Sequence, residues 1–391
     1  MHPRTILFIG NFFFSIFTAL AIYVTLPFLS SFMSDTAAGL VVSFGGIISV
    51  AIFPFLPRLV ARYGAQRLTV AFTAAEMIAV SALAIVPSAF AGALFIILGL
   101  AVLPLISYEL DLLLEAISTE KSSVARTRTA FLTSWNFGSL AAPLLLGLIL
   151  ANSNEYGRVF LVAAVMLVPF LALFAGHKLP AATVPKITHM QDTLVCISHD
   201  RDFSAVTIAH FLLYLFYIWA PLYVPIYLHD SLGIPWSELG WMFAVMLIPY
   251  ALVEYPAGWV ADRYLGDKKL MLAGFIIAGL ALASFGMLSP KSPLVLILFI
   301  LVGSRVGAAL VESMTEGHFF RRITEQDINS MSIFRGIWPL ANVIGPIVGS
   351  LILYYSDFQT FFALTGGFII LAGSIATLSI KDYRPQEATC L

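Results

Sequence analysis

Between Thr5 and Ile380 the chain is a succession of apolar runs, each roughly 20 residues long and separated by short polar breaks. Hydrocarbon offers no partner to a backbone N–H or C=O. A chain of this kind must satisfy those groups within each segment, as helices, or by closing a barrel. Barrel strands alternate polar and apolar residues, whereas these runs are continuous and predict helices. Composition fits the same solvent: 60% of the residues are hydrophobic and 11% charged, against about 25% charged in a water-soluble domain.

The runs give about twelve candidate spans, near Thr5 to Phe28, Ala38 to Val60, Leu68 to Val86, Phe90 to Leu113, Ala130 to Leu150, Tyr156 to Ala175, Phe203 to Leu228, Leu239 to Val260, Leu270 to Leu288, Leu294 to Met314, Ser332 to Leu353 and Phe361 to Ile380. Ala19-Leu20-Ala21 mimics a signal cleavage site, but the first run continues to Phe28 and is too long for a signal core. Arg4, Arg62, Arg67, Lys121, Arg126, Arg128, Lys178, Lys186, Arg201, Arg263, Lys268, Lys269, Arg321, Arg322, Lys381 and Arg384 fall on one side, with Arg58 and Arg335 at its edge. The other side holds Arg158 and Lys291. By the positive-inside rule both termini are expected in the cytoplasm. The net charge of −1 conceals this asymmetry and gives no argument for nucleic acid.

The longest polar stretch, 177–202, reads as a cytoplasmic linker between a first bundle, 1–176, and a second, 203–380, followed by a tail, 381–391. Cys196 and Cys390 both fall on the reducing face, so no disulfide is expected, and they have no metal-ligand spacing. Outer loops lack an Asn-x-Ser/Thr acceptor, which hints at a bacterial inner membrane.

The two halves carry related landmarks. The charged turn Gly258-Trp259-Val260-Ala261-Asp262-Arg263-Tyr264-Leu265-Gly266-Asp267-Lys268-Lys269 has a worn copy in Pro57-Arg58-Leu59-Val60-Ala61-Arg62-Tyr63-Gly64-Ala65-Gln66-Arg67. At the same offset of about 200, Tyr23-Val24 matches Tyr223-Val224, Gly39 matches Gly240, and Asp111 and Glu115 match Glu312 and Glu316. Phe131, Trp135 and Pro143 likewise match Phe334, Trp338 and Pro346. A duplicated helical bundle with a site between its halves is a transporter design. The expected fold class is an all-α membrane protein with two pseudo-symmetric six-helix bundles.

Over essentially its whole length the chain resembles the major facilitator superfamily, whose turn after the second span of each half reads Gly-x-Leu-Ala-Asp-Arg-x-Gly-Arg-Arg. The second copy keeps Gly258, Ala261, Asp262, Arg263, Gly266, Lys268 and Lys269, with Leu265 as one extra residue. The first keeps Leu59, Arg62, Gly64 and Arg67, while Pro57 and Ala61 replace the glycine and the acid. The resemblance implies a cytoplasmic gate. Arg263 would reach Glu312 or Glu316, and Arg62 would reach Asp111 or Glu115; such pairs separate when the gate opens. Charges that merely set topology are the plainer reading.

Leu301-Val302-Gly303-Ser304-Arg305-Val306-Gly307-Ala308-Ala309 is similar to the Leu-x-x-x-Arg-x-x-x-Gly motif of proton-driven exporters, placed here on the tenth span instead of the fourth. An arginine in mid-membrane costs at least about 2.5–3.5 kcal/mol and usually faces a cavity with a partner. Arg305 is expected to bind a substrate anion, to tune an acid, or to sit in a permanent ion pair. Glu109, which Arg305 could face, is the first candidate to carry a coupled proton, followed by Glu76, Glu254 and Asp111; the alternative for each is a neutral packing residue. His210 and Asn11 either join a relay or bond a neighbouring helix. Phe12, Phe13, Phe14, Tyr214, Phe216, Tyr217, Trp219 and Tyr223 could hold an apolar solute or face lipid. Gly138-x4-Pro143-x3-Gly147 and Asn342-x2-Gly345-Pro346-x2-Gly349 permit close approach and a kink, and resemble an antiporter motif.

No Walker lysine loop, helical zinc pair, nucleophile elbow or filter repeat is present, so an ATP-driven pump, a protease, a channel and an enzyme generally are disfavoured. The expected function is proton-coupled export of a small organic solute by alternating access. Proton-coupled uptake of a carboxylate or sugar is the rival within the fold, and a non-transporting receptor or scaffold the rival outside it. The expected partners are a small-molecule substrate, a proton and the lipid bilayer, with the chain acting as a monomer. No cofactor or metal is called for.

Overall fold

The computed structural model describes residues 1–85, 88–117, 121–180, 200–322 and 328–381. Its helices are α1 (Pro3–Ser30), α2 (Asp35–Ile52), α3 (Leu56–Tyr63), α4 (Ala65–Leu83), α5 (Ala89–Ile117), α6 (Lys121–Leu150), α7 (Tyr156–Gly176), α8 (Arg201–Ile226), α9 (Trp236–Val260), α10 (Gly266–Phe285), α11 (Leu294–Arg322), α12 (Ile328–Tyr355) and α13 (Phe358–Ser379). A 3-10 turn, Phe53–Phe55, joins α2 to α3, so the two form one rod. Pro57 lies in the first turn of α3, where a missing N–H costs nothing.

Among the described residues, ten stretches are long and apolar enough to cross a membrane; one of them, Trp236–Phe285, runs through both α9 and α10. Separating those two and adding α4, whose Gln66, Arg67 and Glu76 dilute an otherwise apolar run, restores the twelve spans read from the sequence. Helix starts are capped as their sequences suggest. Ser34 accepts from Ala37 N at 3.3 Å, and Asp357 accepts from Thr360 N at 2.8 Å. Those Thr360 hydrogen bonds hold the Asp357 carboxyl below the usual carboxylate range.

Contacts divide the chain into two compact units, Met1–Pro185 with Pro221–Ala244, and Lys186–Ala220 with Val245–Leu391. In unit 1, α1 packs on α6 and α7, and α4 packs on α5 and α7. Small residues allow this closeness: a Cβ on Gly157 would stand 2.8 Å from the Ala84 carbonyl oxygen. Asn11 ties α1 to α6 by donating to Phe131 O at 2.8 Å and Ser134 Oγ at 3.1 Å.

Unit 1 also contains the end of α8 and the start of α9. Tyr23 stacks on Phe243 at 5.2 Å and 11°, Ser237 N donates to Ala151 O at 3.0 Å, and His229 Nε2 lies 2.7 Å from Asn154 Oδ1. Gly147 of α6 and Gly240 of α9 meet backbone to backbone, since a Cβ on Gly147 would lie 3.1 Å from Gly240 Cα.

In unit 2, α10 packs on α11 and α13, repeating the pairing of α4 with α5 and α7. Gly274 and Gly307 permit the first contact, because a Cβ on Gly307 would stand 2.7 Å from Gly274 O. Trp219 of α8 is buried and donates its Nε1–H to Gly345 O of α12 at 2.8 Å.

Candidate functional site

Both copies of the charged turn pass through a glycine at positive φ. Gly64 has φ +84° and ψ 144°, and Gly266 has φ +74° and ψ 162°. A side chain is strained there, so the two glycines are required by the backbone. Gly258 differs, for a Cβ there would meet open space. Leu265, the extra residue of the second copy, is absorbed by the π turn Ala261–Leu265, whereas α3 reaches Gly64 without one.

Two residues beyond each turn glycine a side chain caps the last helix of its half. Gln66 Nε2 donates to Phe174 O at 2.6 Å and His177 O at 2.5 Å, at the end of α7. Lys268 Nζ donates to Leu378 O at 2.7 Å and Ile380 O at 3.0 Å, at the end of α13. Both satisfy carbonyls that a helix end leaves orphaned. Sequence reading saw Lys268 only as a motif base and did not weigh Gln66.

The expected gate pairs do not form among the described residues. Arg62 lies over the Tyr63 ring at 5.2 Å and Arg263 over Trp259 at 5.6 Å. Both arginines are exposed, where a cation–π contact with a chain neighbour orders less side chain than a long-range ion pair. Asp111 is half-buried and Glu115 exposed on α5. The Asp262 side chain, residues 181–199 of the linker, Cys196 and Cys390 lie outside the described residues.

Glu312 instead points inward and accepts a hydrogen bond from the Tyr217 hydroxyl of α8. It is seven residues from Arg305, hence on the same face of α11 and about 10.5 Å along the axis. Arg305 is 4% exposed, its guanidinium stands 5.4 Å from the Phe216 ring centroid, and its buried Nε has no hydrogen-bond partner. Among the described residues it makes no ion pair. Tyr250 of α9 packs at 6.2 Å from Tyr217 and within electrostatic reach of Arg305 and Glu312. Glu254 and Glu316 complete an acidic group with Glu312, and the Glu254 carbonyl accepts from Ser313 Oγ at 3.3 Å. Unit 2 thus brings together Arg305, Glu254, Glu312 and Glu316 of the expected residues, with Tyr217 and Tyr250 between them.

Other expected residues make contacts of their own. His210 is stacked on Phe334 at 3.8 Å and 16°, and its buried Nδ1 has no partner. Glu76 and Glu109 are both in unit 1, on α4 and α5. A cluster that the sequence reading did not find ties the basic end of unit 2. His318 of α11 has Nε2 3.2 Å from Asp202 Oδ2 and Nδ1 3.3 Å from Asp267 Oδ2, all three buried. Lys381 N donates to Asp202 Oδ1 at 2.6 Å. The group joins the first residues of α8 and α10 to the last turns of α11. Its one sequence signal is polar residues at span ends.

The Major Facilitator Superfamily profile matches residues 206–390, and the fold of the whole chain agrees with it. The second half of the chain matches the major facilitator superfamily, and the whole chain has that fold. A solved structure of the nucleoside transporter NupG, in a mutant form, matches with a TM-score of 0.79 at 14% identity, covering 97% of this chain and 100% of that one. A peptide transporter POT in complex with sulfate matches with 0.74 at 15% identity, covering 96% and 94%. These identities speak for the major facilitator fold alone. A probable sulfoacetate transporter, SauU, from Cupriavidus necator is 25% identical over 139 residues, 36% of this chain. The match spans about a third of that relative, 32% of its length.

Proposed function

We propose that this major facilitator is a secondary transporter that moves a small organic anion, of the carboxylate or sulfonate class, by alternating access together with a proton at Glu312. Arg305 carries the reading. A buried guanidinium with no ion-pair partner and an orphaned Nε is an expensive feature to keep unless an anion completes it. Phe216 supplies an apolar wall beside it and Tyr250 a hydroxyl donor. The name of the sulfoacetate relative fits an oxyanion of this class.

Charge balance joins the proton to the anion. In the empty site the Glu312 carboxylate offsets Arg305 two turns away on α11. With a monoanion on Arg305, the same balance needs Glu312 protonated, and the Tyr217 hydroxyl can then accept where it had donated. Anion and proton therefore travel in the same direction, as symport. Export by proton antiport is the second reading, favoured by the exporter-like motif from Leu301 to Ala309 around Arg305.

Counterflow in proteoliposomes tests both. Carboxylates and sulfonates should exchange while nucleosides and peptides do not, and an inward proton gradient should drive anion accumulation. Arg305→Met should weaken anion binding by at least about thirty-fold without lowering the thermal midpoint, since no structural pair is lost. Counterflow confined to neutral solutes, or an Arg305→Met protein that unfolds early yet binds normally, refutes the anion site.

A further inference from the structure

α4 turns Thr69, Thr73 and Glu76 inward at helical spacing i, i+4 and i+7, and all three are buried, Glu76 at 4% exposure. Glu109 of α5, 0% exposed, lies beside Thr69. At the other end of this seam Gly99 of α5 faces Glu76, where a Cβ would stand 2.9 Å from its Oε1. From Thr69 to Glu76 the seam runs about 10 Å toward the middle of the helices, starting one turn above the positive-φ Gly64.

Its polar atoms are unspent. Thr69 donates to Ala65 O at 2.9 Å and its hydroxyl lies within interaction range of the Glu109 carboxyl, while Thr73 Oγ1 and Glu76 Oε2 have no hydrogen-bond partner among the described residues. Other charged or titratable groups on the packed helices are Arg67 on α4, Arg58, Arg62 and Tyr63 on α3, Tyr108, Asp111 and Glu115 on α5, Tyr156 and Arg158 on α7, Arg4 and Tyr23 on α1, and Asp35 on α2. None of them is a hydrogen-bond or ion-pair partner of Glu76 or Glu109. Lys121, Arg126 and Arg128 of α6 have side chains outside the described residues. A packing role does not account for a buried hydroxyl and a buried carboxyl oxygen left unpaired in one seam beside a second buried carboxyl, since each such atom is costly to bury.

We propose that the α4–α5 seam is a proton path inside unit 1, carrying protons from Glu109 through water and the Thr73 hydroxyl to Glu76. The Glu109 O–H bond breaks as a proton passes to the bridging water. Thr73 gains a proton on one side and gives up its own on the other, and an O–H bond forms on Glu76 once its previous O–H bond has broken and that proton has left to water. Glu109, left as carboxylate, refills from the basic end of the bundle. The path is separate from Glu312 and does not require the anion site. Its use in transport does rest on that reading, for a dianionic substrate needs a second carried proton to preserve charge balance.

Infrared spectra of the full chain in lipid nanodiscs test the path directly through the protonated carboxyl C=O stretch and its shift in D2O. Glu109→Gln and Glu76→Gln should each remove one exchanging band. Thr73→Val, which keeps the shape and deletes the hydroxyl, should slow exchange of the Glu76 band by about tenfold or more while leaving the Glu109 band at its wild-type rate. Bands unchanged in both glutamine variants, or equal exchange at Glu76 with and without the Thr73 hydroxyl, overturn the proposal. If either glutamine variant fails to fold, the comparison of Thr73→Val with wild type still decides. Anion binding measured on the same samples separates the readings: wild-type protein that binds no anion refutes the Arg305 site and leaves the infrared result standing.

Discussion

Glu312→Gln should convert a pH-dependent anion affinity into a constant one. The ionised Glu312 carboxylate lies about 10.5 Å from Arg305 along α11, and an anion held by the guanidinium feels its repulsion at about that separation. With an effective dielectric constant of about 20, two unit charges at this distance interact by about 1.6 kcal/mol, or about fourteen-fold in affinity. The sign follows from the charges: protonating Glu312 removes the repulsion, so wild-type affinity is high in acid and falls as pH rises. Glutamine mimics the protonated form and should hold the acidic value throughout. Titrating the purified protein with a carboxylate or sulfonate by calorimetry, across the pH range in which it stays folded, reads both curves. A Glu312→Gln protein that keeps the wild-type pH profile would show that another group sets it, with Glu254 and Glu316 next in line by proximity. A variant locked at the weak, alkaline value would contradict the charge argument itself.

The turn and the buried cluster give two further expectations. Gly266→Ala forces a side chain onto φ +74° and ψ 162° and should cost about 1–3 kcal/mol; Gly258→Ala, whose Cβ meets open space, should leave the thermal midpoint in detergent unchanged. Equal effects at the two positions would show that the turn is not strained as described. His318→Ala removes the buried partner that Asp202 and Asp267 share and should destabilise unit 2 by about 1–3 kcal/mol, seen as an earlier melt and faster proteolysis within α8 and α10. A wild-type melt for this variant would mean that the cluster carries no stability.

What could be read from the sequence was whatever repeats locally. Membrane spans are set by runs of apolar residues, so their number and order were legible, including a separate third span that its polar residues nearly hide. Their ends were less so. α5, α6, α11 and α12 continue past the expected limits, because charged residues end an apolar run without ending a helix, whose backbone stays satisfied in water as in lipid. The turn glycines were legible because only one residue type fits their backbone, and Arg305 because a charge in mid-membrane needs a reason.

Partners were the illegible part, and Glu312 shows why. Its place toward the end of the tenth span, together with the family resemblance, suggested that it meets Arg263. Helical phase decides otherwise, since seven residues from Arg305 is almost two full turns, and the carboxyl must share the inward face with the guanidinium. The same lesson holds for Gln66, which finds its acceptor 108 residues away, and for His318, which meets Asp202 across 116. No local pattern encodes such separations. The duplication does encode one of them, because a residue two places after the turn glycine caps the final helix in each half, by amide in one and by ammonium in the other. The fold keeps the hydrogen bond to the orphaned carbonyls and lets the donor drift. Where the halves share no such residue, as at Asp267 against Ala65 or Arg305 against Pro104, the duplication encodes no partner, and each bundle buries its own charged groups: the second the Arg305 guanidinium, the first the carboxyls of Glu76 and Glu109.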